Sequence, residues 1–203
     1  NRIHFTYNNK IHYSKKPSLY DKFFYLRIFG GTMMNNEARD SRYQFRLSGL
    51  NGGQDIFMDN LFLNRAPNWN NLLANQMVMA DGGFATRTVF GYANWMLSAN
   101  IKTDMPALKK YGILRLKWLR PYMNAAYLPN FNGSENLMVS ELGLNINLIN
   151  KYLQVYIPLK SSEEIDNNYN LIYPNAHPLH RMRFTLQFDA AKLYKLVDQF
   201  NEI

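Results

Sequence analysis

The chain has 203 residues, a net charge of +8 and a pI near 9.6, enough for one β domain with a sizeable core. It has no cysteine, which excludes a disulfide framework, an Fe–S cluster, a thiolate zinc site and a catalytic thiol. No run of ~18 apolar residues occurs, so no transmembrane helix is expected. The basic residues form no run beyond a Lys-Lys pair, which argues against nucleic acid as a partner.

The chain starts without an initiator Met or a signal peptide. It reads as a processed product or as the ordered part of a longer protein. Ile3, Phe5, Tyr7, Ile11 and Tyr13 alternate with His4, Thr6, Asn8, Lys10 and His12, which predicts a strand with two unlike faces. Lys15-Lys16-Pro17-Ser18 is a turn. In residues 20–31, Phe24, Leu26 and Ile28 share one face, and Tyr25, Arg27 and Phe29 share the other. A third strand is expected where Tyr43, Phe45 and Leu47 oppose Gln44, Arg46 and Ser48.

Residues 51–91 are the least regular part. Asp81-Gly82 is a hairpin signal, so 72–80 and 83–90 read as an extra hairpin or as a long loop folded over the domain. Alternation returns with Trp95, Leu97, Ala99 and Ile101. It continues through Leu114, Leu116 and Trp118, which oppose Arg115 and Lys117. Leu142, Leu144, Ile146 and Leu148 then oppose Glu141, Gly143, Asn145 and Asn147. After the tight Asn150-Lys151, Leu153, Val155, Ile157 and Leu159 oppose Gln154, Tyr156, Pro158 and Lys160. Residues 161–180 read as a polar loop. The last strand is Arg181-Met182-Arg183-Phe184-Thr185-Leu186-Gln187-Phe188-Asp189. From Ala190, the stripe Leu193, Leu196, Val197, Phe200 predicts a short amphipathic helix.

The expected fold is all-β: an antiparallel up-and-down transmembrane β-barrel of about eight strands (eight to twelve) with a short C-terminal helix. Residues 1–189 would form the barrel and 190–203 the amphipathic tail. A soluble β-sandwich, binding a partner through loops 51–91 and 161–180, alternates in the same way. Three features favour the membrane. Several strands reach the ~9–11 residues that a tilted transmembrane strand needs. The polar faces carry large groups that a hydrated lumen solvates. Long connections (51–91, 126–136, 161–180) and shorter ones (32–41, 103–111, 149–151) segregate to opposite ends, with the 14–19 turn as the exception. An even strand count would put both termini in the periplasm.

Arg27, Arg46, Arg115, Lys117, Asn145, Asn147, Arg181 and Arg183 are then expected to face the lumen. Phe24, Leu26, Leu97, Leu116, Trp118, Leu144, Ile146, Val155, Ile157, Phe184, Leu186 and Phe188 are expected to face lipid. On this reading Leu186→Arg costs ~2–4 kcal/mol and Thr185→Arg much less.

From Arg46-Leu47-Ser48-Gly49, the order continues through residues 53–65 to Leu73-Ala74-Asn75-Gln76-Met77. Ala80-Asp81-Gly82-Gly83-Phe84 and Gly91-Tyr92-Ala93-Asn94-Trp95 follow. This order resembles the C-terminal region of M1-metallopeptidase-like proteins of Gram-negative bacteria, over residues 17–190. The resemblance implies an outer-membrane barrel that follows a catalytic domain. It implies the cell outer membrane as the location, outer-membrane lipids as partners, and other outer-membrane or periplasmic chains beside them. The family's His-Glu-x-x-His and Gly-x-Met-Glu-Asn signatures are absent, so its peptidase activity does not transfer to this chain.

No other chemistry stands out. His177 and His180 flank Pro178 without a carboxylate to complete a zinc set. Asp55 and Asp59 lack EF-hand spacing and read as turn-capping residues. Glu163 and Glu164 are adjacent and make a poor acid/base pair. The three Gly-Gly pairs form no phosphate loop. No catalytic residue, metal ligand or cofactor is assigned.

Overall fold

The computed structural model describes residues 2–13, 22–34, 44–55, 58–65, 72–88, 93–105, 118–129, 136–149, 152–174 and 178–186. Within them, one antiparallel sheet of seven strands runs in chain order: β1 (Arg2–His12), β2 (Phe23–Met33), β3 (Trp95–Thr103), β4 (Leu119–Pro129), β5 (Asn136–Ile149), β6 (Leu153–Ser161) and β7 (Arg183–Leu186). Every ladder joins sequence neighbours, and the sheet curls into a half-barrel. β1 and β7 are its edges and do not pair with each other. No second sheet packs against it among the described residues.

The alternation predicts which residues are strands because it is what a sheet with two unlike surfaces requires. β1 and β2 pair over eleven residues without a break, from Arg2↔Met33 to His12↔Phe23. Prolines mark the irregular points. Pro158 sits where the β5–β6 register shifts at Leu142/Gly143, so the bulge accommodates the missing N–H. Pro121 lies beyond the β3–β4 ladder, which covers Tyr122–Tyr127 in β4.

Two expectations are corrected and one pair of alternatives is decided. The third strand at 43–48 is not part of the sheet: Phe45, Ser48 and Leu50 make isolated bridges to Ala93, Phe84 and Val78. Residues 72–88 take the second of the two expected forms, a loop folded over the sheet, and not the hairpin. Leu72–Asn75 is a 3-10 turn, and Gln76 bridges Phe184 in parallel. The 161–180 loop contains a helix, α1 (Glu163–Ile172), whose acidic first turn (Glu163, Glu164, Asp166) suits the helix dipole. Its Ile165, Asn168 and Tyr169 are buried. The polar character of 161–180 hid that stripe.

Removing the third strand changes the parity of the connections. The insert between β2 and β3, the β4–β5 turn and the α1 connection all lie at one end of the sheet. The β1–β2, β3–β4 and β5–β6 connections lie at the other. The expected 14–19 turn lies outside the described residues, but the β1–β2 connection falls in the second group by topology. Seven strands put residue 2 and residue 186 at opposite ends, so the even count that would set both termini on one side is not present in the described sheet.

One face of the sheet holds the core. The insert packs there, with Phe45, Leu47 and Phe84 against Phe29, Met96, Val139 and Ile165 of the sheet and α1. A Cβ on Gly31 would lie 2.5 Å from the Phe45 ring, so a side chain at this position would displace the insert.

Candidate functional site

The unusual feature of this core is its polarity. The register places Asn8, Arg27, Asn100, Asn124, Glu141 and Ser161 in one row across six strands, on the face that carries the insert. Four of these side chains form a continuous chain. Arg27 Nη1 donates to Asn100 Oδ1 (2.7 Å), Asn100 Nδ2 to Asn124 Oδ1 (3.1 Å), and Asn124 Nδ2 to Glu141 Oε1 (3.0 Å).

The row also grips the insert. Arg27 donates to the Ala80 and Asp81 carbonyls and Asn100 to the Gly82 carbonyl. Glu141, 1% exposed, accepts from the backbone N–H groups of Ala85 (3.0 Å) and Thr86 (2.6 Å). A buried carboxylate is tolerated only when donors replace its water, and here three do.

A second row runs Lys10, Tyr25, Lys102, Tyr122, Gly143. A third joins Arg120, Asn145, Tyr156 and Arg183. Arg120 Nε pairs with Asp104 at 2.5 Å. Arg183, 1% exposed, donates Nη1 to the Gly49 and Ala85 carbonyls and so ties β7 to the insert. The insert also meets the edge of β7, where Met77 N–H donates to the Phe184 carbonyl (2.7 Å). Between the rows and the insert lies a cavity of ≈ 320 Å³ lined by Lys10, Tyr25, Arg27, Lys102, Tyr122 and Tyr156, among others.

Inside the insert, Asp55 is an anchor. It accepts from Asn60 N–H (3.0 Å), Arg65 Nη2 (3.1 Å) and Asn60 Nδ2 (3.4 Å). Burial alone would raise its carboxyl, but these donors and the Arg65 charge outweigh it and hold the group below the usual range. That is the capping role the sequence implies. Asp59 is exposed and does not join it.

The opposite face is apolar and exposed. Phe5, Leu97, Tyr127 and Met138 form one row there, and Ile101, Met123 and Leu142 another. Phe5 is 58% exposed, Leu159 61% and Met138 70%. Leu97, Leu144, Ile146, Val155, Ile157, Phe24, Leu26, Phe184 and Leu186 share this face by register, as the alternation predicts. Trp118 is exposed in the turn before β4.

Of the residues expected to face the lumen, Arg27, Asn145, Asn147 and Arg183 lie on the insert-bearing face of the strands. Arg46 and Arg181 do not. Arg46 belongs to the insert, where its backbone N–H donates to Asp81 Oδ2 (3.0 Å). Arg181 ends a 3-10 turn and pairs with Asp166 at 2.7 Å. Arg115, Leu116, Lys117, Phe188 and the tail 190–203 lie outside the described residues. The sequence reading passed over Asn100, Asn124 and Glu141 as site residues. Glu141 as the acid in the polar stripe of β5 was the available signal.

No protein family, characterised protein or solved structure matches this chain.

Proposed function

We propose that this sheet is part of the wall of an outer-membrane β-barrel, with its apolar face against lipid and its insert filling the lumen. The observation that carries the reading is the inverted distribution of polarity. Charged and amide side chains are buried in hydrogen-bonded rows, and Ile, Leu, Met, Phe and Tyr cover the exposed face. Contiguous exposed apolar surface of this kind marks a membrane or partner surface. In lipid, β1 cannot keep a free edge, because its unpaired N–H and C=O groups would have no water. The reading therefore requires further wall between β1 and β7.

The role is that of an anchor or assembly module with a plugged lumen. The described residues of the insert (44–55, 58–65, 72–88 and 93) occupy the face that would otherwise line a channel. The end that carries the insert and α1 would face outward, as long connections do in such barrels. The segment order that resembles M1-metallopeptidase-like proteins supports a place beside or within a larger protein of that type. The experiment is detergent dependence together with heat-modifiable gel migration. A chain that stays monodisperse in buffer without detergent would overturn the proposal.

A further inference from the structure

We propose that the cavity between the insert and the second polar row binds a small soluble oxyanion, a phosphate ester or carboxylate of sugar size. Three cations, Lys10, Arg27 and Lys102, line it, and no carboxylate does. The two acids closest in the register are already engaged. Asp104 holds Arg120 and the Phe23 N–H (2.9 Å), and Glu141 accepts three N–H groups. Neither lines the cavity, although the Asp104 charge reaches Lys102.

Lys102 is the central group. It is partly buried, and its ammonium has three donors but one hydrogen-bond acceptor, Gln154 Oε1 at 3.2 Å. Its other contacts are the faces of Tyr25 (5.9 Å) and Tyr156 (5.8 Å). A cation held among aromatic faces with donors to spare is poised for an anion. The Tyr122 ring lies on the same wall, with its hydroxyl buried beside Glu141.

The volume of ≈ 320 Å³ matches the smaller ligand pockets of proteins. The Tyr25 phenol and the Asn8 amide suit a hydroxylated body behind the anionic head. Met79 and Gly83 of the insert close one side of the cavity, and the vesicle arm of the test separates a soluble ligand from a lipid headgroup. The inference does not depend on what covers the apolar face. It can fail while the membrane reading stands, and the reverse.

The test is calorimetric titration of the full chain in phospholipid-free detergent with glucose 6-phosphate, inorganic phosphate and glucose. A parallel arm uses phosphatidylglycerol vesicles. Glucose 6-phosphate is expected to bind and glucose is not. Lys102→Met should weaken binding at least tenfold, with gel migration unchanged. Met matches the length of the Lys stem and forfeits one hydrogen bond, so the variant keeps its fold. Equal binding by wild type and Lys102→Met, equal binding of glucose and its phosphate, binding seen only with vesicles, or no binding by any probe would each overturn the proposal.

Discussion

Met123 stands at the centre of β4, between Ile101 of β3 and Leu142 of β5 in one outward row, and is 47% exposed. Replacing it with Arg separates water from lipid outside this face. In water, an exposed site without special partners tolerates such a change within ~0.5 kcal/mol. At the bilayer midplane an Arg costs ~2–4 kcal/mol. That is a factor of roughly 30 to 700 in the folding equilibrium. Met138, 70% exposed and near the start of β5, supplies the depth control, where the cost near an interface falls to ~0–1 kcal/mol. The assay is urea titration of chain refolded into lipid vesicles, read by heat-modifiable migration. If Met123→Arg and Met138→Arg both stay within ~0.5 kcal/mol of wild type, the apolar face does not meet lipid.

Glu141→Ala should release the insert, since buried N–H groups of Ala85 and Thr86 lose their acceptor at ~1–3 kcal/mol each. Limited proteolysis would then cut within residues 44–93 while the strands stay protected; Glu141→Gln, which keeps one acceptor, should be milder. Gly143→Ala would place a Cβ 2.4 Å from the Ile157 carbonyl and 2.6 Å from the Tyr122 ring, with an expected loss of ~1–3 kcal/mol in the urea midpoint. Gly83 has φ +76° and its Cβ would meet the Asn100 amide at 2.6 Å, so Gly83→Ala should cost ~1–3 kcal/mol and loosen the same row. Asp55, whose carboxyl is held low, stabilises the insert above the ordinary Asp range, and that contribution disappears as pH falls through its lowered value. Acid should therefore raise protease cleavage of 44–65 in wild type, and Asp55→Asn should remove that step while lowering stability at neutral pH.

Most strands were legible because a two-faced sheet imposes a period of two, as in Leu142 to Leu148. β4 was read only up to Trp118, with 126–136 taken as a connection, because Pro121, Ala125, Ala126 and Pro129 blur its alternation. The insert was not legible, because its packing rests on single anchors. Phe45 fills the space above Gly31, Arg183 reaches the Gly49 carbonyl from 134 residues away, and Glu141 takes two N–H groups from a turn. None of these leaves a periodic trace. Counting 43–48 as a strand was the natural error: it alternates, yet it lies on the sheet rather than in it. The same cause spoils the Leu186/Thr185 comparison that alternation alone recommends. Thr185 is buried beneath the insert at 5% exposure, so Thr185→Arg is no mild control.

The polar rows and the apolar face are two halves of one argument. If the insert-bearing face were the core of a water-soluble domain, Arg27, Asn100, Asn124 and Glu141 would leave water while Ile101, Met123 and Leu142 on the same strands stayed in it. Both transfers are unfavourable, and only the cluster of Phe29, Met96, Leu128 and Val139 under the insert follows the opposite rule. Hydrogen bonding can offset the first, as the Arg27–Asn100–Asn124–Glu141 chain does. Nothing inside the chain offsets the second among the described residues. On the proposed reading lipid does: it would remove the penalty on the apolar rows and leave the charges in a polar lumen. Met123→Arg probes the half of that proposal that the hydrogen bonds cannot.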